Sequence, residues 1–351
     1  MNKTYLYFIS IIIILITHCG IIRDNEIKEL QTTTKLNGFD SLKIDPYAIG
    51  TISNMFVVDS SLILVNPNDS FHFQAYNLEL EKTSFQFGKI GTGPDEISTP
   101  SLLQIRKNRG AYDVGINVRR SFSYFHSKKQ LPPFENSDFD QTGPFDYNYS
   151  RILRLKNGQF VGIGTFEKLY TVSDYEGRVI KTKGKYPYEE DKFSNIDKIT
   201  LGMAYQGEIA LHPKQDKLAY AAYMAPIFEI VDLSKEGKIE KIHSTYFWAP
   251  EFTSAEGGNS YSATPSMDNK FGFQSLAVSQ NAIYLLYSGR SFSNSNDVYS
   301  GNKILCYDWK GNWKRTLEIP MKVKSVAVDN TDDYLYAYVD KQQPVIYVFN
   351  L

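Results

Sequence analysis

Hydrophobic residues in this chain come in short runs, which are separated by turns rich in glycine, asparagine and aspartate. The clearest group of runs covers Ala282 to Pro320. Ala282–Tyr287 is unbroken and apolar, Lys303–Trp309 is rich in aliphatic and aromatic residues, and Trp313–Ile319 alternates bulky with polar residues. Runs this short, with this composition, are typical of strands. Because Gly311 supplies a tight turn between the last two runs, the pattern predicts three consecutive antiparallel strands.

Weaker copies of this pattern recur along the chain and predict six sets of strands. The sets begin near Asn54, Ser101, Arg151, Gly207, Phe273 and Val323. In three sets the turn before the last strand follows an aspartate at a matched position, namely Asp174, Asp232 and Asp308. The second set is incomplete, because Leu131–Asp146 is rich in proline and shows no clear fourth strand.

The first and last strands of the pattern suggest how the sets are arranged. The sixth set shows three strands, whereas Phe39–Asp45 is a strand candidate that belongs to no set. In a β-propeller the N-terminal strand would complete the last blade and remove an open edge. Residues 39 to 351 divided among six blades give about 52 residues each, close to known propeller repeats. The sequence therefore predicts an all-β, six-bladed β-propeller of four-stranded antiparallel blades over residues 39–351.

The lengths of the connections predict which face of the propeller carries function. Four are long: Gly88–Pro100, Tyr186–Gln206, Ser244–Phe271 and Ser288–Asn302. All four join the second strand of a blade to the third, or one blade to the next, whereas the other recognisable turns are short. In a propeller these two groups of connections lie on opposite faces, which we call the long-loop face and the short-turn face. Because long loops commonly carry function, we expect a binding site on the long-loop face.

Five residues are candidate ligand-binding residues on that face. Trp248 and Tyr261 lie among small polar residues in one long loop, a composition that suits stacking on sugars or peptides. Arg119, Arg120 and Arg290 lie at corners between second and third strands, where arginines can clamp a carboxylate or phosphate. The alternatives are aromatic residues that cap the ends of the sheets, and arginines that are solvated or ion-paired.

The N-terminus has the pattern of an export signal. Lys3 precedes the apolar run Tyr5–Ile16, and Cys19 follows directly, as in bacterial lipoproteins. We therefore expect a signal peptide over residues 1–18, lipid attachment at Cys19, and a flexible tether over residues 19–38. Gly20 after the cysteine favours the outer membrane. The alternative is an uncleaved membrane anchor, although the apolar run is short for a span of about 20 residues.

Composition and motifs limit the chemistry. Lys and Arg number 38 against 39 Asp and Glu, so no basic excess indicates nucleic acid. The five histidines show no metal-ligand spacing, and Cys306 lies inside a strand pattern, which indicates an inert buried thiol. Gly88–Glu96 has closely spaced glycines but no following helix, so it predicts a connection between blades and not a nucleotide site. We expect no metal and no cofactor.

Three stretches resemble a known family. They are GKIGTGPDEI from Gly88, ALHPKQDKLAYAAY from Ala210, and IYLLYSGR with KILCYDWKGNWKRTLEI from Ile283. They resemble the TolB-like six-bladed propeller lipoproteins of Bacteroidota, and the resemblance covers most of the chain after residue 38. It implies a six-bladed propeller in an exported lipoprotein. It implies no established activity and no catalytic residue.

Three functions remain open. The first is a lipid-anchored binding or scaffold module at the cell envelope, with a glycan, a peptide or an envelope protein as partner. The second is a propeller hydrolase or lyase that acts on glycans or lactones at the channel mouth. The third is a structural component of an envelope complex, which an exposed apolar patch on the sides of the blades would favour.

Overall fold

The computed structural model describes residues 27–44, 51–65, 70–93, 96–108, 111–118, 121–214, 217–235, 238–257, 260–342 and 344–351. It confirms the predicted six-bladed propeller. Each blade is built on four antiparallel strands that follow one another in the sheet, and we call them a to d from the channel outward.

The elements follow in chain order. The first three are α1 (Lys28–Gln31), β1 (Thr33–Lys35) and β2 (Phe39–Ser41). Blade 1 contains β3 (Asn54–Val58), β4 (Ser61–Val65), β5 (Phe71–Asn77) and β6 (Lys82–Lys89). Blade 2 contains β7 (Pro100–Asn108), β8 (Ala111–Val118), β9 (Ser123–Ser127) and β10 (Phe139–Thr142), with a 3-10 helix at Asn136–Asp138. Blade 3 contains β11 (Tyr149–Arg154), β12 (Phe160–Gly164), β13 (Tyr170–Ser173) and β14 (Val179–Lys183).

Two short helices, α2 (Glu189–Lys192) and α3 (Lys198–Ala204), connect blade 3 to blade 4. Blade 4 contains β15 (Gly207–Leu211), β16 (Lys217–Ala222), β17 (Ile227–Asp232) and β18 (Glu240–Tyr246). A separate hairpin of β19 (Phe252–Gly257) and β20 (Ser260–Pro265) follows. Blade 5 contains β21 (Phe273–Val278), β22 (Ala282–Tyr287), β23 (Gly301–Asp308) and β24 (Trp313–Val323), and blade 6 contains β25 (Ser325–Val328), β26 (Tyr334–Val339) and β27 (Val345–Asn350).

Burial explains the hydrophobic pattern of the strands. In β22 the five residues from Ile283 to Tyr287 are all buried, whereas no residue of the outer strand β14 is. Blades pack face to face, so both sides of an inner strand are covered and its sequence reads as a continuous apolar run. An outer strand keeps one side in water and tolerates lysine and threonine.

The ring closes as predicted. β2 pairs antiparallel with β27, with Phe39 opposite Phe349 and Ser41 opposite Tyr347. The Phe39 ring also packs edge-on against Tyr347 at 5.0 Å between centroids. An N-terminal segment thus supplies strand d of the last blade.

The fourth strand of blade 2, which the sequence pattern does not define, is β10. It pairs antiparallel with β9, from Phe139 opposite Ser127 to Thr142 opposite Tyr124. The connection before it, residues 128–138, is long and buries the ring of Phe134. The short-turn face therefore carries one long connection. The sequence does not reveal β10, because this strand has only four residues and lies in a proline-rich stretch.

The expectation of a flexible tether needs a correction in its second half. Ile27 and Leu30 are buried at 3% and 5% exposure, in a cluster that includes Tyr307 of blade 5. β1 runs parallel to β24, and the hydroxyl of Thr316 donates to the Glu29 carbonyl at 2.5 Å. The segment looks polar as a whole, but Ile27, directly before α1, and Leu30, inside it, are both buried and anchor it.

The predicted signal peptide at residues 1–18 and the predicted lipid attachment site Cys19 lie outside the described residues. Within the described part of the chain, no helix is long and apolar enough to cross a membrane.

We expect Leu30→Ala to lower the free energy of unfolding by about 2 kcal/mol, because it removes buried apolar volume from the docked segment. Urea denaturation measures the change. The matched control is Leu80→Ala, whose side chain is 62% exposed and whose loss should leave stability unchanged. Equal stability of the two variants would mean that the segment is not docked in solution.

Candidate functional site

The channel opens on the long-loop face into a cavity of about 570 Å³, which we call the upper mouth. All six blades contribute to its lining, which includes Asn54, Leu102, Arg151, Glu208, Gln274 and Lys324. These residues lie among the first three residues of an a strand or directly before it, because every a strand enters the ring from this face. The volume is that of a typical small-molecule site.

A largely buried charged network lies in the wall of the upper mouth. Arg151 is the third residue of β11, the a strand of blade 3, and its guanidinium lies 3.5 Å from the Glu208 carboxylate of blade 4. The same guanidinium donates to the Tyr223 hydroxyl at 3.2 Å, and that hydroxyl donates to Glu208. Three side chains from two blades therefore form one closed network.

Burial governs the protonation of this network. Burial raises the pKa of Tyr223, and the neighbouring Glu208 carboxylate raises it further. Burial alone disfavours the charge on Arg151, but Tyr223 and Glu208 outweigh it and hold the pKa of Arg151 above its ordinary value. Arg151 is therefore a permanent cation whose charge is balanced inside the wall. Its Nε is buried and has no hydrogen-bond partner among the described residues, a condition that calls for a water, an ion or a ligand group.

The described wall of the upper mouth rises over blades 4 and 5. It is built from α3, the hairpin β19–β20 and the loop after β22, which contribute Met203, Pro265 and Tyr299 to the lining. The Tyr299 ring is 55% exposed and packs edge-on against Phe271 at 5.5 Å. An exposed aromatic ring thus stands beside apolar side chains at the rim.

The predicted site residues do not converge on this cavity. Arg290 donates to the Asp297 carbonyl at 3.2 Å and to the Ser300 hydroxyl at 2.7 Å, so it holds its own loop together. Trp248 is half-buried against blades 4 and 5, and its indole donates to the Lys270 carbonyl at 3.4 Å.

The other three predicted residues differ in what the structure says of them. Tyr261 lies on β20 with 38% of its surface exposed, so it remains available on the long-loop face. Arg119 and Arg120 lie outside the described residues.

Sequence reasoning missed Arg151, Glu208, Tyr223 and Tyr299. Glu208 carries a signal that was available, because it is the one charged residue of the short a strand β15. Arg151 is less conspicuous, because β11 also ends in an arginine, Arg154. Their pairing carries no such signal, since it depends on how blades 3 and 4 meet.

Among the described residues, no three His, Cys, Asp or Glu side chains are grouped as a metal site requires. Glu208 is the one carboxylate among the described residues that line the upper mouth.

Comparison with known proteins agrees with this architecture. A family model described as "TolB-like 6-blade propeller-like" matches residues 45–331. A member of the DUF4221 family from Bacteroides vulgatus superposes with a TM-score of 0.53 at 10% identity, over 90% of this chain and 96% of that one. A protein from Bacteroides fragilis, described as exported, gives 0.54 at 12% identity, over 89% and 93%. No curated protein sequence matches the chain.

We expect Glu208→Ala to destabilise the fold by about 3 kcal/mol, because it leaves the Arg151 guanidinium buried without its carboxylate. Urea denaturation is the measurement, and the double variant Arg151→Met with Glu208→Leu should recover most of the loss. The control is Glu190→Ala, which breaks the solvent-exposed pair with Lys185 and should change little. Equal effects of Glu208→Ala and Glu190→Ala would contradict the buried network.

Proposed function

The chain belongs to the TolB-like six-bladed propeller family, and we propose that it is an exported, lipid-anchored propeller that binds a neutral saccharide at the upper mouth. The observation that carries the proposal is the cavity itself, which is of ligand size, lies on the long-loop face and is walled by side chains from all six blades. Export is supported by the signal-like N-terminus and by the Bacteroides fragilis neighbour.

Charge balance is the reason to expect a neutral ligand. The charged residues among the described lining are Arg151, Glu208 and Lys324. Arg151 is paired with Glu208, and Lys324 is paired with Asp340 at 2.7 Å. Neither sign of charge is left in excess, so an ionic ligand would gain little there.

The remaining lining suits a sugar. The Tyr299 ring offers a flat apolar surface at the rim, on which the C–H face of a pyranose can stack. Gln206 and Asn54 line the cavity and bring amide groups that can hydrogen-bond hydroxyls. A saccharide combines these two surfaces in one molecule.

A hydrolase or lyase that acts on glycans would use the same mouth. Among the described lining residues, the carboxylate available for its chemistry is Glu208, which is already engaged by Arg151 and Tyr223. We therefore propose binding as the function. Analysis of the saccharide after incubation with the protein separates the two, because a binding module returns it intact.

The docked N-terminal segment suggests how the propeller is held at the membrane. β1 meets β24 three residues after that strand begins, close to the short-turn face. A lipid on Cys19 lies eight residues before Ile27, and eight residues span at most about 28 Å. We infer that the short-turn face lies towards the bilayer and that the upper mouth points away from it. The outer membrane is the site that Gly20 favours.

We expect Tyr299→Ala to weaken saccharide binding about tenfold, the usual cost of losing a central aromatic contact. The measurement is a glycan array probed with the full-length protein in detergent, followed by titration of each positive saccharide. Tyr175→Ala is the matched control, because Tyr175 is 68% exposed in a turn of the opposite face. Equal losses in the two variants, or an array without any positive saccharide, would refute the proposal.

Cys19→Ala should abolish incorporation of labelled fatty acid and release the protein from the membrane fraction.

In the anchored protein, a bulky maleimide should react faster with Tyr261→Cys than with Tyr175→Cys, because the long-loop face points away from the bilayer. Cys306 needs no substitution, since it is buried and burial raises its pKa to about 12. Faster reaction at position 175 would reverse the proposed orientation.

A further inference from the structure

The channel also opens on the short-turn face, into a second cavity of about 860 Å³ that we call the lower mouth. Residues of all six blades line it as well. The charged residues in the described lining are Arg106, Arg154, Lys156, Lys214, Asp59 and Asp113. Basic side chains outnumber acidic ones by four to two, so this mouth differs from the balanced upper mouth.

Both carboxylates of the lower mouth are already engaged. Asp113 forms an ion pair with Arg106, and Asp59 accepts a hydrogen bond from Tyr112. The Arg106 side chain is only 12% exposed, and its Nε is buried without a hydrogen-bond partner among the described residues. The Arg154 side chain makes no hydrogen bond and no ion pair with any described residue. Among the described residues, Arg106 thus has an ion-pair partner in this mouth and Arg154 has none.

The position of Arg154 is set by a buried amide of the neighbouring blade. The Gln104 side chain, 6% exposed, donates to the Arg154 carbonyl at 2.9 Å and accepts from its N–H at 2.8 Å. The Tyr124 hydroxyl in turn donates to the same Gln104 oxygen at 2.5 Å. Blades 2 and 3 are therefore locked together at the base of the Arg154 side chain.

The two guanidinium groups lie within electrostatic reach of each other. Burial lowers the pKa of Arg106; Asp113 opposes this shift and Arg154 adds to it. Two like charges that line one cavity, with the Asp113 carboxylate paired to Arg106, favour binding of an added anion. Guanidinium groups match the oxygens of a phosphate with paired N–H donors.

We propose that the lower mouth binds a phosphate group between Arg106 and Arg154, with Lys156 and Lys214 at the rim. A phosphate carries about −1.5 to −2 charge at neutral pH, which matches the excess of basic side chains. A soluble phosphorylated molecule and a phospholipid headgroup offer the same chemistry. The site is separate from the upper mouth, so the test of phosphate binding does not depend on the outcome for saccharide binding.

The test is calorimetric titration of inorganic phosphate into the full-length protein in detergent, at constant ionic strength. The wild type should show saturable binding. Its melting temperature should be higher in phosphate than in chloride buffer of the same ionic strength. Arg154→Gln should weaken binding at least about tenfold. The matched control is Arg178→Gln, because Arg178 lies in a turn of the same blade, is 70% exposed and is paired with Asp174 outside the channel.

Equal affinities of Arg154→Gln and Arg178→Gln, or no saturation of the wild type, would overturn the proposal. If Arg154→Gln does not fold, Arg154→Lys and Lys156→Ser replace it. Both should bind more weakly than the wild type, since the first loses the paired donors and the second a rim charge. Affinities unchanged in both would also overturn it.

The source of the phosphate is read by a parallel titration with dihexanoyl phosphatidylglycerol. Tighter binding of this lipid than of inorganic phosphate, lost in Arg154→Gln, would support a headgroup site. Tighter binding of inorganic phosphate would support a soluble ligand. Binding of neither would refute the site.

Discussion

Packing between neighbouring blades is the interaction on which the ring depends. A single blade has two apolar faces and no core of its own, so each hydrophobic cluster draws on adjacent blades. Phe228 of blade 4 packs with Tyr307 of blade 5, and Leu62 of blade 1 packs with Tyr338 of blade 6. Every blade needs two covered faces, and hence the ring must close. The pairing of β2 with β27 meets that need by uniting the two ends of the chain in one sheet.

The same packing decides which polar groups can lie inside. In the body of blade 4, Glu229 is fully buried, and it accepts from Tyr170 at 2.7 Å and pairs with Lys241 at 2.6 Å. Such a carboxylate is satisfied where it stands and has a structural role. The upper mouth follows this rule through Arg151 and Glu208. In the lower mouth, the Arg154 side chain is only partly buried and has no ion-pair partner among the described residues. The two ends of one channel therefore differ in charge, although the same six a strands line both.

The sequence predicts the fold more completely than it predicts the site. Strands such as Ala282–Tyr287 can be recognised in the sequence, because burial on both faces demands an apolar run. The unmatched strand at Phe39 predicts closure of the ring. β10 is too short to show a period, and the docking of Ile27 and Leu30 depends on a groove that exists only after blades 4 and 5 assemble. The pairing of Arg151 with Glu208 likewise follows from the ring and not from any local pattern.

The N-terminal segment also has a mechanical meaning. Within the described residues, the chain first lies against the edge of blade 5 through α1 and β1, and only then supplies the closing strand of blade 6. A pull from the N-terminal side of Ile27 would load β1 along its parallel pairing with β24, in shear, before any force reached β2. The ring seam would stay unloaded until that attachment slipped. The pairing of β1 with β24 would therefore protect the closing strand β2 from a force applied at the N-terminal side of the propeller.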